Sequence, residues 1–363
     1  MHKHLLIPVS LIIPLFTSTY ANAIQPTHYA LANTITAHNI SALQHAITQN
    51  TFNAFGLHST KPANASPAAE PSTTPGDLYG HTPMYGTESM YGEFNSDGTM
   101  GRSGGDTPIA SLTNIWIDWQ HTADKTKYNN HSPIKTNNDM IIAGITGNTS
   151  NLGATQHNWG IYTGYTVGEQ YNQSVSVESQ GGFLGIFNGF YYKNLNLNTN
   201  ITGGILDNSN DNAFGTDTFT NFWLNGTASI SYNLFLHDRL VLRPVITTGY
   251  TWIKSDDYTS VSGATIDNQD TNIFEFTPEI QLAGHITNNW HSKMYVKYIM
   301  NFSHDGATMV NDLILPHLND TEYFEYGLSI TKNVHNSHIS ATIGRHDGRR
   351  YGWFGGINIK YIF

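Results

Sequence analysis

Tyr351-Gly-Trp-Phe-Gly-Gly-Ile-Asn-Ile-Lys-Tyr-Ile-Phe363 decides the fold. Every second position, from Tyr351 through Trp353, Gly355, Ile357, Ile359 and Tyr361 to Phe363, is apolar, aromatic or glycine. The intervening set holds Asn358 and Lys360. A period of two puts alternate side chains on opposite faces of a strand, here one apolar and one polar. Rings at both ends of the apolar face match two water–lipid boundaries. This is the pattern of a strand in an outer-membrane β-barrel.

Working outward, the alternation recurs from about Asn114 onward in roughly twelve strand-like runs. Leu240, Leu242, Pro244, Ile246, Thr248, Tyr250 and Trp252 share a face opposite Arg243 and Thr247. Phe274, Phe276, Pro278, Ile280 and Leu282 oppose Glu275, Thr277, Glu279 and Gln281. Met294, Val296, Tyr298, Met300 and Phe302 oppose Lys293, Lys297 and Asn301, and Leu195, Leu197 and Ile201 oppose Asn196, Asn198 and Asn200. Charge keeps to one side, and lipid does not tolerate it. Arg243, Glu275, Glu279, Lys293 and Lys297 are therefore expected to face the lumen. There they would satisfy one another as cross-strand pairs. A charged channel, or a surface that grips a helix, is the functional alternative, and the two roles are compatible.

The connections give a second test, because a barrel of this type alternates long outer loops with short inner turns. Gln120–Asn138, Asp207–Thr218, Ser255–Thr271 and Ser303–Thr321 read as long outer loops. Lys193-Asn194, Leu236–Arg239, Thr287–Asn289 and His335–Ser337 read as short inner turns, and Thr149–His157 as an inner linker of unusual length. Asp347-Gly348 is a tight outer turn of the kind a two-residue hairpin prefers.

The N-terminal part differs. Residues 1–23 read as a signal peptide: a basic start, an apolar stretch from Leu5 to Phe16, and small residues at Ala21-Asn-Ala23. Within 24–112, residues 39–55 read as an amphipathic helix with Ile40, Leu43, Ile47 and Ala54 on one stripe. Such a helix is about 24 Å long, close to the thickness of a bilayer core, and is a candidate occupant of the lumen. Residues 57–112 contain a Pro/Ala/Ser/Thr-rich run and three Tyr-Gly repeats at Leu78, Met84 and Met90, and read as flexible. The barrel is expected over 113–363.

Composition narrows the function. The chain has no Cys, which removes disulfides and thiolate chemistry. Its formal charge of -10 argues against nucleic acid. Gly101-Arg-Ser-Gly-Gly105 matches a nucleophile-elbow pattern but lacks the strand and helix that the motif needs. The 18 His show no metal-ligand spacing. His304-Asp305 and His346-Asp347 point their neighbours to opposite sides of a strand, so neither is a ready dyad. No enzyme activity, catalytic residue, cofactor or metal is expected.

From Asn114 to Phe363 the chain resembles the translocator barrel of the autotransporters (type V secretion). The carriers are Asn114-Ile-Trp-Ile-Asp-Trp119, the Gly/aromatic pair Trp159–Tyr165 and Gly181–Phe187, the run Leu242–Trp252, and the Phe363 ending. The resemblance implies an all-β, twelve-stranded antiparallel barrel with a helix in the lumen and an N-terminal segment moved to, or anchored at, the cell surface. It also implies that Phe363, Tyr361 and Ile359 are read by the barrel-assembly machinery after export through the Sec translocon. The partners it implies are outer-membrane lipid and these two machines, with any surface ligand unknown. The passenger region is unusually short, and residues 39–55 lie far upstream of the first strand. A small channel or porin, and an adhesin acting through its loops, are the alternatives.

Overall fold

A computed structural model describes residues 110–363 except 128–132, 153–154, 173–174, 213–214, 238, 268–269, 305–307, 311–312 and 316–321. Residues 1–109 lie outside it, and with them the expected signal peptide, the helix at 39–55 and almost all of the expected flexible stretch. No helix occurs among the described residues.

The barrel strands are β1 (Ala110–Thr126), β2 (Ile134–Leu152), β3 (Thr155–Asn172), β4 (Val175–Tyr192), β5 (Leu195–Asn212) and β6 (Gly215–Tyr232). They continue with β7 (Leu240–Ser255), β8 (Asp270–Thr287), β9 (Trp290–His304), β10 (Glu322–Val334), β11 (Ser337–Gly348) and β12 (Arg350–Ile362). Each strand pairs antiparallel with its neighbours in sequence. Asn114 pairs with Ile362 and Thr126 with Arg350, so β12 closes on β1 and the sheet has no free edge. A short strand, Leu234–His237, folds back on β7 at the inner turn.

Alternation fixes which way each strand faces. Ile115, Ile117 and Trp119 of β1 are exposed on the outside, while Asn114, Trp116 and Asp118 are buried within. The outer surface is apolar between two aromatic belts. Tyr192, Tyr232, Trp290 and Tyr361 ring one end, and Trp252, Phe302, Phe324 and Trp353 the other. From Trp353 to Tyr361 the chain rises about 27 Å along β12, which a tilt of about 40° reduces to about 20 Å. That is the scale of an outer-membrane apolar band.

Several connections are shorter than expected. β5 runs to Asn212 and β6 starts at Gly215, so Asp207–Thr218 is mostly paired strand. The linker expected at Thr149–His157 is also mostly strand, with Leu152 paired to Thr155. β1 and β2 extend well into Gln120–Asn138. These polar segments continue their ladders beyond the apolar band, where neither face must be greasy. The other two long loops remain long and fold together. Tyr258–Thr259 and Thr265–Asp267 pair with Thr308–Val310 and Leu313–Leu315 in a second, four-stranded sheet. Gly348, at φ +131°, takes the tight turn between β11 and β12, where a side chain would be strained.

Candidate functional site

The site is the lumen, and its wall has two unlike halves. On β1 to β8 the interior carries an apolar cluster: Trp116, Met140, Ile142, Tyr162, Phe183, Phe187, Leu206, Trp223, Ile253 and Ile273. These strands place glycines beside inward-facing rings. A Cβ at Gly185 would overlap the Tyr162 ring, one at Gly164 that of Phe183, and one at Gly204 that of Trp223. The missing side chains are thus the space the rings occupy. Tyr162 donates to Asn200 Oδ1 at 2.6 Å and also meets Thr202. A polar ladder runs beside this cluster. Ser179 donates to Asn208 at 2.7 Å, Asn208 to Asn221 at 2.5 Å, and Asn221 to Ser255 at 2.5 Å, linking β4 to β7.

The charged part of the wall begins with Arg243, Glu275 and Glu279 on β7 and β8 and is densest on β9 to β12 and β1. Lys297 Nζ lies 2.8 Å from Glu325 Oε1, which also accepts from Tyr295 at 3.0 Å. His346 stands between two carboxylates, with Nε2 3.0 Å from Glu325 Oε2 and Nδ1 2.9 Å from Asp124 Oδ1. Arg350 grips the second Asp124 oxygen through Nε at 2.7 Å and through a terminal nitrogen, and donates to Tyr323 at 3.3 Å. One side chain from each of five adjacent strands makes this chain, and it crosses the closing seam between β12 and β1. All five side chains are at most 6% exposed. Burial without such pairing would cost each charge several kcal/mol.

The residues named from sequence stand as follows. Arg243 and Lys297 are buried inside the barrel, and Glu275, Glu279 and Lys293 are partly buried on the same inner face. Arg243 donates to Asn233 at 2.6 Å and to Gln281 at 3.4 Å, and Gln281 donates to Glu279 at 2.9 Å. Glu279 and Lys297 are register partners across β8 and β9. Ile359, Tyr361 and Phe363 are exposed on the outer face. Ile40, Leu43, Ile47 and Ala54 lie outside the described residues. His346 reaches Asp124 on another strand, whereas its sequence neighbour Asp347 is exposed. The sequence reading missed Asp124, Glu325, His346 and Arg350 as one network, and the inward rings. The rings left a signal: in Phe183-Leu-Gly-Ile-Phe187 both parities are apolar, so one set had to fill the interior.

The sequence profile described as the Autotransporter beta-domain matches residues 112–344. Among solved structures, the chain is similar to the β-domain of the Bordetella autotransporter BrkA at 12% identity and TM-score 0.59, covering 70% of this chain and 100% of that one. It is similar to the translocator domain of NalP from Neisseria meningitidis at 11% identity and TM-score 0.60, covering 70% and 89%. The transport unit of AIDA-I from Escherichia coli matches at 16% identity and TM-score 0.58, covering 69% and 90%. No curated protein matches the chain. With the profile spanning most of the chain over a closed twelve-stranded barrel, the protein belongs to the autotransporter β-domain family and is an outer-membrane barrel.

Proposed function

We propose that this barrel anchors its own N-terminal segment, with residues 39–55 seated in the lumen as a helix and residues 57–112 displayed at the cell surface. One observation carries the reading: the closed lumen has a wall that is part apolar and part charged. An amphipathic helix carries the same two surfaces. Ile40, Leu43, Ile47 and Ala54 would meet the apolar half, and polar positions would meet Lys293, Glu275 and Glu279.

Export is proposed to begin with residues 1–23 at the Sec translocon. Insertion then follows recognition of Phe363, Tyr361 and Ile359 by the barrel-assembly machinery. An epitope tag placed after Pro75 tests display of the segment. Antibody should reach the tag on intact cells. Labelling that requires permeabilised cells would place the segment in the periplasm and reject display.

A further inference from the structure

The outer surface beyond the loop-end belt is not evenly charged. Around β12 it carries four exposed cations: Arg345 on β11, Lys125 on β1, Lys127 just beyond β1, and Lys135 on β2. Lys125 and Lys135 are direct register partners on the same face, an arrangement that repels. Tyr351 is the other register partner of Lys125, and Trp353 is that of Arg345. Each ring lies under a cation. Arg345 lies 5.4 Å from the Trp353 centroid, Lys127 4.6 Å from that of Tyr351, and Lys135 4.6 Å from that of Tyr171. Lys135 also donates to the Tyr171 hydroxyl at 2.9 Å. Among the described residues none of the four forms an ion pair with a carboxylate. Asp347 and Glu169 are the outward acids nearest in the ladder, and Asp139 is held by His121 at 3.1 Å.

The position is as telling as the charge. One outward step toward the membrane from Tyr351 lies Trp353, and three outward steps below Lys125 and Lys135, past Ala123, His121, Asn137 and Asp139, lie Trp119 and Ile141; all three are exposed. The cations therefore stand beyond the belt, at the level of the outer leaflet's headgroups. On β3 to β5 the same level is acidic, with Glu169 directly opposite Glu178 and Asp207, opposite Gln180, two register pairs along. An anionic headgroup is drawn to one side of the barrel and repelled from the other.

We propose that the outward face of β11, β12, β1 and β2 binds a phosphorylated lipid of the outer leaflet. A phosphate sits between Lys125 and Lys135, Arg345 and Lys127 flank it, the headgroup spans Ala123, His121 and Asn137, and the acyl chains begin below Trp353, at the depth of Trp119 and Ile141. The bound phosphate relieves the Lys125–Lys135 repulsion. It also bridges the strands that close the barrel, outside the seam that Asp124 and Arg350 clamp within.

The test is equilibrium binding of fluorescent diphosphorylated lipid A to the full chain folded in detergent micelles. EDTA is present so that no divalent cation links lipid to carboxylate. Lys125→Gln/Lys135→Gln should weaken binding about tenfold or more, at roughly the strength of one cation near an anionic lipid surface for each lysine removed. Lys254→Gln/Lys332→Gln removes the same net charge elsewhere and should bind as the native chain does. Dephosphorylated lipid A should bind about as weakly as the first variant. Millimolar inorganic phosphate should not displace the lipid. Equal binding by both variants, equal loss in both, or displacement by free phosphate would each overturn the proposal. Folding is checked by the heat-dependent shift of the barrel on gels. If the first variant fails to shift, Lys127→Gln/Arg345→Gln takes its place with the same expected loss.

Discussion

Asp124 is the residue on which the lumenal charge chain turns. It holds His346 with one oxygen and Arg350 with the other. Asp124→Asn removes the negative charge and leaves a buried guanidinium uncompensated. The expected cost is about 3–5 kcal/mol, the scale for breaking a buried ion pair. Urea unfolding of the micelle-folded barrel reads it. Asp139→Asn, on the exposed side of β2, should stay within about 0.5 kcal/mol of the native chain. Gly185 gives a second expectation. A methyl there collides with the Tyr162 ring, so Gly185→Ala should lose about 1–3 kcal/mol as an overpacked core does. Gly226, with nothing near its ideal Cβ, is the matched control. If both alanine variants unfold at the same urea concentration, the ring is not packed against that glycine.

At the scale of the strand, lipid is what makes sequence legible. Leu195-Asn-Leu-Asn and Met294-Tyr-Val-Lys show their faces directly, because an outward charge is costly and the period of two is strict. The constraint ends where the membrane ends. Asp207-Asn-Ser-Asn-Asp-Asn212 looks like loop, being rich in turn-forming residues, yet it is paired strand throughout. Nothing local marks such a segment, since both of its faces tolerate polar groups. Pairing between β5 and β6 overrides the propensity. The charge network was hidden for another reason. Asp124 and Arg350 are 226 residues apart and become neighbours only when β12 closes on β1. The terminal strand carries its own expectation. Tyr361→Ala/Phe363→Ala should lower the amount of folded barrel in membranes several-fold, while the purified variant still folds in detergent. Equal membrane levels of variant and native chain would remove the assembly role from these residues.

The whole molecule is an inverted protein with two interiors. Its outside is apolar, and its inside is divided between a ring-and-glycine core and a chain of buried charges. The apolar half fixes the wall, and the charged half clamps the seam. Residues 39–55 are proposed to sit between them. Single-channel conductance in planar bilayers tests that assignment most directly, comparing residues 24–363 with a chain that also lacks residues 24–56. A 24–363 barrel that stays closed and opens on deletion is the predicted result. A 24–363 barrel that conducts as freely as the deletion would contradict the lumenal helix and make the protein an open channel.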